Sequence, residues 1–164
     1  MPKKQIYLTG FMGTGKSMIL NCLHEVCGFD KIEMDEQIVQ EQGMSIPEIF
    51  EKKGEEYFRN LETELVKKIS AMDNIVVSCG GGTVMRQCNV DEMKKNGTIV
   101  LLTAEPETVY ERVKGSHNRP LLEKNMNPEY IKELMEARRP KYEAAADFVI
   151  KTDNRTAEEI CLEI

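Results

Sequence analysis

Apolar residues along this chain recur at two spacings. Short unbroken runs at Ile6–Leu8, Ile75–Cys79 and Thr98–Thr103 predict buried strands, and Phe29–Met34 and Phe148–Ile150 predict two more. Between the runs the period lengthens to that of a helix. Met18, Ile19, Cys22, Leu23 and Val26 mark one helical face, and Phe58, Leu61, Leu65, Val66, Ile69 and Met72 mark a longer one. Ser45-Ile-Pro-Glu has the form of a helix start, with Ser45 as cap and Pro47 just inside. Pro106 opens another helix after the fourth strand. A polar stretch, Lys114–Lys124, follows it, then a helix over roughly Pro128–Ala145 and a closing one over Ala157–Ile164. Strands alternating with helices in this way predict a parallel α/β sheet covered on both faces. No repeat or low-complexity linker interrupts the pattern, so a single domain is expected over residues 1–164.

Composition narrows the partners. At 164 residues, with 41% apolar and 30% charged, the chain has enough apolar material for one core. Its net charge of −6 repels phosphate backbones and anionic lipids, so neither nucleic acid nor membrane is expected as a partner. Lys52–Lys53, Lys67–Lys68 and Lys94–Lys95 each lie beside acidic residues and read as solvated helix faces. Five cysteines, without a C-x-x-C pair, fit reduced thiols in a cytoplasmic protein. The start, Met-Pro-Lys-Lys, lacks the apolar stretch of a secretory signal, and no segment approaches a membrane span.

The strongest chemical signal is Gly10-Phe-Met-Gly-Thr-Gly-Lys16-Ser17, which fits G-x-x-x-x-G-K-[ST] between a strand and a helix. Glycines let the backbone turn so that several N–H groups face phosphate oxygens, and the helix N-terminus adds a favourable field. By chance this pattern arises in roughly one chain of this length in two hundred, given the usual abundance of glycine. Nucleoside triphosphate binding is therefore expected. Lys16 would reach the β- and γ-phosphates and Ser17 would ligate Mg²⁺.

Four weaker features bear on what receives the phosphate. Glu33-Met34-Asp35 lies at the end of the second strand, where ligands collect in a parallel sheet. A carboxylate there can orient a hydroxyl and accept its proton, although Asp35 also suits a helix cap. Arg59 and Glu62 in Phe58-Arg59-Asn60-Leu61-Glu62 lie one turn apart, as a surface ion pair would. Gly80-Gly81-Gly82 directly follows a strand, and permits either a tight turn or close approach to a ligand. Arg119-Pro120-Leu121-Leu122 suits a mobile loop, whose arginine can meet a transferring phosphoryl group. Arginine is scarce, seven against fifteen lysines, and its planar fork grips carboxylates and phosphates as lysine cannot.

In order, Gly10–Ser17, Glu33–Asp35, Phe58–Glu62, Gly80–Gly82, Arg119–Leu121 and Arg138–Tyr142 resemble the landmarks of the shikimate kinases across essentially the whole chain. The resemblance implies a P-loop NTPase of the nucleoside-monophosphate-kinase-like fold, with a five-stranded parallel sheet in order 2-3-1-4-5. It implies transfer from Mg·ATP to the 3-hydroxyl of shikimate, in the route to chorismate and aromatic amino acids, by a monomer. Residues 113–125 would form the lid and residues 35–62 the acceptor-binding helical region. Gly13, Thr14, Gly15, Lys16, Ser17 and Met18 would line the nucleotide, with Arg112 at the adenine. Lys16, Asp35 and Arg119 would be catalytic, Arg119 arriving with the lid. Arg59 and Arg138 would clamp the acid's carboxylate, Gly80, Gly81 and Gly82 would meet its hydroxyls, and Glu33 would reach Mg²⁺ through water.

The chain departs from the family pattern at three places. Glu33 replaces an Asp, and Met18 and Leu20 replace the usual Thr and Gly. Two alternatives stay open at this point: a sibling such as gluconate kinase, and a binding module that has lost its chemistry.

Overall fold

The computed structural model describes residues 5–11, 15–80, 82–95, 97–113, 128–153, 155–156 and 159–160. The strands are β1 (Gln5–Thr9), β2 (Asp30–Glu33), β3 (Ile75–Ser78), β4 (Gly97–Thr103) and β5 (Phe148–Lys151), all parallel, in the order β2-β3-β1-β4-β5. The helices are α1 (Lys16–Cys27), α2 (Met34–Gln42), α3 (Ile46–Lys53), α4 (Glu55–Ile69), α5 (Gln87–Lys94), α6 (Pro106–Val113) and α7 (Pro128–Ala145). One 3-10 turn, Thr83–Met85, follows β3. The expected closing helix, Ala157–Ile164, lies mostly outside the described residues. No helix among the described residues is long and apolar enough to cross a membrane.

Alternation along the strands divides the core in two. On β1, Ile6 and Leu8 face one side with Val76, Val100 and Leu102, and receive Ile19, Leu20 and Leu23 of α1. Tyr7 faces the other side with Val77, Ile99 and Leu101, and packs with residues of α4, α5 and α7. β1 is buried along its whole length because it has a neighbour on each edge and helices on each face.

The edges differ from the sequence expectation. β2 is shorter than the apolar run: Phe29 precedes it, Met34 begins α2, and Asp30 and Lys31 suit an exposed edge. β5 forms the opposite edge, with Phe148 and Val149 exposed. Helix α5 was not visible in the apolar spacing, because one of its buried residues is the polar Asn89, beside Val90 and Met93. Ser45 caps α3 as expected, its Oγ accepting from the Glu48 N–H at 3.3 Å. The lysine pairs are surface groups: Lys52 meets Glu48 at 2.8 Å and Lys95 meets Glu92 at 2.7 Å.

A buried polar link ties the end of α4 to β1. Gln5 Nε2 donates to the carbonyls of Ile69 and Ser70 at the end of α4 and of Met72 just beyond it. The Tyr7 hydroxyl donates to Gln5 Oε1 at 2.7 Å, which holds the Tyr7 ring in place. Gly97, opening β4, lies against that ring: an added Cβ would come within 2.4 Å of Tyr7 Cε2 and 2.7 Å of the Met93 carbonyl oxygen. The tethered ring has little room to swing aside, so Gly97→Ala should lower stability by about 1–3 kcal/mol through overpacking. Urea denaturation would register this as a lower midpoint; an unchanged midpoint would show that the strand yields freely.

Candidate active site

The chain turns sharply where β1 gives way to α1. Gly10 has φ 142° and Gly15 has φ 98°, backbone that side chains rarely adopt, and Gly15 is the N-cap of α1. Lys16 is the first residue of the helix, and its Nζ donates to the Gly10 carbonyl at 2.7 Å. The ammonium thus curls over the same loop whose N–H groups would face phosphate. Ser17 Oγ donates to Glu33 Oε1 at 2.6 Å, so the end of β2 meets the start of α1. The charge of Glu33 also raises the pKa of the exposed Glu36 carboxyl beside it, and burial adds to this. Met18 is exposed on α1, whereas Leu20 packs in the core, so these two departures act in different places. Gly13 and Thr14 lie outside the described residues.

Asp35 is not on the strand. Glu33 is the N-cap of α2 and Asp35 stands in the first helical turn, where a carboxylate interacts favourably with the helix dipole; no side chain caps this helix. Asp35 and Glu62 converge on the glycine turn after β3. A Cβ at Gly80 would lie 2.6 Å from Glu62 Oε2 and 3.0 Å from Asp35 Oδ1, so only glycine leaves room for both. A Cβ at Gly82 would lie 2.5 Å from Arg59 Nη1, which places the guanidinium directly on the turn. Gly81 lies outside the described residues.

Arg59 and Glu62 do pair across one turn of α4, at 2.7 Å, but this is no surface pair. Glu62 is fully buried, and the Arg59 side chain keeps only 15% of its exposure. Glu62 Oε1 accepts from Arg59 Nη1, and Oε2 accepts from Thr83 Oγ1 at 2.8 Å. Burial raises the Glu62 pKa above the usual carboxylate range; Arg59 and Thr83 oppose the shift, and Asp35 adds to it.

Arg138 comes from the far side of the cleft. Its guanidinium lies over the Phe11 ring, Cζ 5.6 Å from the centroid. One turn later on α7, Tyr142 is buried and hydrogen-bonds Arg138, while also feeling the charges of Arg59 and Glu62. Burial pushes the phenol pKa up, and the Arg138 charge opposes it. Tyr142 therefore lies within the electrostatic reach of both Arg59 and Arg138. Lys141 Nζ donates to the Met85 carbonyl at 3.0 Å and docks α7 onto the turn after the glycines.

Cys79 joins the two halves. Burial drives its thiol pKa upward against the opposing charge of Lys16, and the carboxylates of Glu62 and Asp35 reinforce the rise. A buried, protonated thiol is structural, not reactive. Arg119 and the side chain of Arg112 lie outside the described residues. Among the described residues no cluster of three or more His, Cys, Asp and Glu is arranged to hold a metal. Sequence reasoning missed Phe11 as the support for Arg138, and Thr83 and Asn89 behind Glu62. Nothing in their spacing marks them, since each acts on a residue distant in the chain.

The family model for shikimate kinase matches residues 12–164. A shikimate kinase of Persephonella marina is 44% identical over 161 residues, covering 98% of this chain and 96% of that protein. A shikimate kinase of Caldanaerobacter subterraneus is 42% identical, covering 98% and 94%. The solved structure of Acinetobacter baumannii shikimate kinase in complex with shikimate superposes with a TM-score of 0.92 at 31% identity, covering 99% of this chain and 90% of that one. A gluconokinase from Sinorhizobium meliloti has a TM-score of 0.62 at 17% identity, a likeness of fold alone.

Removing Glu62 leaves a largely buried guanidinium with only the longer 3.4 Å pair to the exposed Glu55, and takes the acceptor from the Thr83 hydroxyl. Glu62→Ala should therefore cost about 3–5 kcal/mol in chemical denaturation, and Glu62→Gln, which keeps the volume and one of the two acceptor oxygens, less. A cost below about 1 kcal/mol for the alanine variant would contradict a buried pair. The pH dependence has a definite sign. The folded carboxyl holds its proton more tightly than in the unfolded chain, so its contribution is present at low pH and is lost as pH rises through the folded value. Glu62→Gln should remove that part of the slope in a stability–pH series.

Proposed function

The chain belongs to the shikimate kinase family, and on that footing we propose that it transfers the γ-phosphate of Mg·ATP to the 3-hydroxyl of shikimate, giving shikimate 3-phosphate. The observation that carries the acceptor side is the glycine turn, with the Arg59 guanidinium against Gly82 and Asp35 against Gly80, while Arg138 lies over Phe11 at the end of the β1 segment. Two guanidinium forks suit one carboxylate, and the neutral backbone of the turn suits ring hydroxyls.

Each residue then has a task. The loop at Gly10–Ser17, including Gly13, Thr14 and Gly15, cradles the phosphates with backbone N–H groups, and Lys16 neutralises charge between the β- and γ-phosphates. Asp35 orients the 3-hydroxyl and accepts its proton as the oxygen attacks phosphorus. Arg59 and Arg138 hold the shikimate carboxylate and so fix the ring, which makes the attack effectively intramolecular. Arg119, carried by the lid at residues 113–125, meets the transferring phosphoryl group, and Arg112 packs on the adenine. Ser17 and Glu33, hydrogen-bonded at 2.6 Å, are hard oxygen groups of the kind that suits Mg²⁺; Ser17 would bind it and Glu33 would reach it through water. Mg²⁺ when bound offsets phosphate charge in the transition state. The longer Glu33 still reaches Ser17, so its extra methylene leaves this donor pair intact. A cytoplasmic setting belongs to the same proposal, since five cysteines without a C-x-x-C pair suit reduced thiols.

ADP release coupled to NADH oxidation, measured with shikimate and with gluconate, tests the acceptor. Turnover is expected with shikimate, and turnover with gluconate alone would overturn the assignment. Asp35→Asn should lower kcat by about 10²- to 10⁴-fold, as expected when a positioned base is lost. A variant that kept full kcat would remove Asp35 from that role. Arg138→Ala should raise the shikimate KM by roughly ten- to a hundred-fold, the loss of a charge-assisted hydrogen bond, with the ATP KM within about two-fold. Equal damage to both KM values would contradict the clamp.

A further inference from the structure

We propose that Thr83 is a positioning residue for acid recognition: its hydroxyl fixes the buried Glu62 carboxylate, and through it the aim of Arg59. The proposal rests on the reading that Arg59 grips the shikimate carboxylate. It adds a residue that does not itself touch the substrate in that reading.

The geometry is a buried chain of hydrogen bonds. Asn89 Nδ2 donates to the Thr83 carbonyl at 2.8 Å, Thr83 Oγ1 donates to Glu62 Oε2 at 2.8 Å, and Arg59 Nη1 donates to Glu62 Oε1 at 2.7 Å. Asn89, Thr83 and Glu62 are each at most 1% exposed, so water does not substitute for a missing partner. The Thr83 N–H donates to the Gly80 carbonyl at 3.2 Å, which makes Thr83 part of the glycine turn. That turn therefore acts on both members of the pair: Gly82 lies against the Arg59 guanidinium, and Thr83 holds Glu62.

Without the hydroxyl, one carboxylate oxygen stands buried with a bond missing, a cost relieved by taking up a proton or by turning away. Either response weakens the anchor of Arg59. The charged and titratable groups facing Glu62 are Arg59 on α4, Asp35 on α2, Tyr142 on α7 and Cys79 at the end of β3. A hydrogen bond donated to a carboxylate favours its charged form, so losing Thr83 raises the Glu62 pKa further.

The test compares Thr83→Val, which keeps the shape, with Thr83→Ser, which keeps the hydroxyl. Thr83→Val should raise the shikimate KM about ten-fold, the usual effect of one lost hydrogen bond, while kcat and the ATP KM stay within about two-fold. It should also move the acidic limb of kcat/KM for shikimate to higher pH, and Thr83→Ser should restore both. An unchanged KM and limb in Thr83→Val, or a serine variant that behaves like the valine one, would overturn the proposal. If Thr83→Val does not fold, Thr83→Ala against Thr83→Ser carries the same expectations. Carboxyl ¹³C NMR titration of Glu62 reads the effect without substrate: a higher pKa in the valine variant supports the proposal and an unmoved one overturns it. Wild-type protein that ignored shikimate while the Glu62 shift held would sink the functional reading alone.

Discussion

A carboxylate sealed from water must have both oxygens satisfied, and Glu62 organises this molecule around that constraint. One oxygen holds Arg59 on its own helix, and the other holds Thr83 after β3. Closing that pair draws α4 so tightly onto the turn that Gly80 and Gly82 have no space for a side chain. The glycines are thus required by the ion pair as much as by any ligand. Arg59 pays the cost of partial burial, yet Glu62 keeps it firmly protonated. What results is a guanidinium held in one place by its own helix and the glycine turn.

The sheet order explains why this device stands next to a phosphate loop. β1 lies between β3 and β4, and the two chain segments leaving β1 and β3 emerge side by side at the carboxyl edge. The Cys79 N–H donates to the Leu8 carbonyl at 2.9 Å, joining the strand before the loop to the strand before the glycine turn. β2 ends next to β3 and delivers Glu33 to Ser17 and Asp35 to Gly80. Donor and acceptor halves are therefore set by strand adjacency, and the buried Cys79 thiol feels charges from both, Lys16 from one and Glu62 and Asp35 from the other.

Much of this was legible in the sequence. The phosphate loop was plain because its chemistry demands fixed identities at fixed spacing, and the central strands because both faces of each are buried. The edges were harder: β2 begins with Asp30 and Lys31, so the apolar run around it marked a strand whose ends belong to other elements. Helical spacing placed Arg59 and Glu62 on one face but carried no information about depth, and a pair that looked solvated is buried. The expected strand ends one residue early, at Glu33, because the buried Met34 starts α2, so Glu33 is the N-cap and Asp35 stands in the first helical turn. Thr83 and Asn89 were illegible, since their roles arise only when the segment after β3 folds against α4.

The central claim is that Arg59, braced by Glu62, and Arg138, braced by Phe11 and Tyr142, together receive the acid while Asp35 faces its alcohol. A crystal structure of the protein with shikimate, Mg²⁺ and a non-hydrolysable ATP analogue tests this most directly. The account predicts the shikimate carboxylate held between the two guanidinium groups and the 3-hydroxyl within hydrogen-bond reach of Asp35. A carboxylate bound elsewhere, with Arg59 still turned only to Glu62 and Glu55, would contradict it.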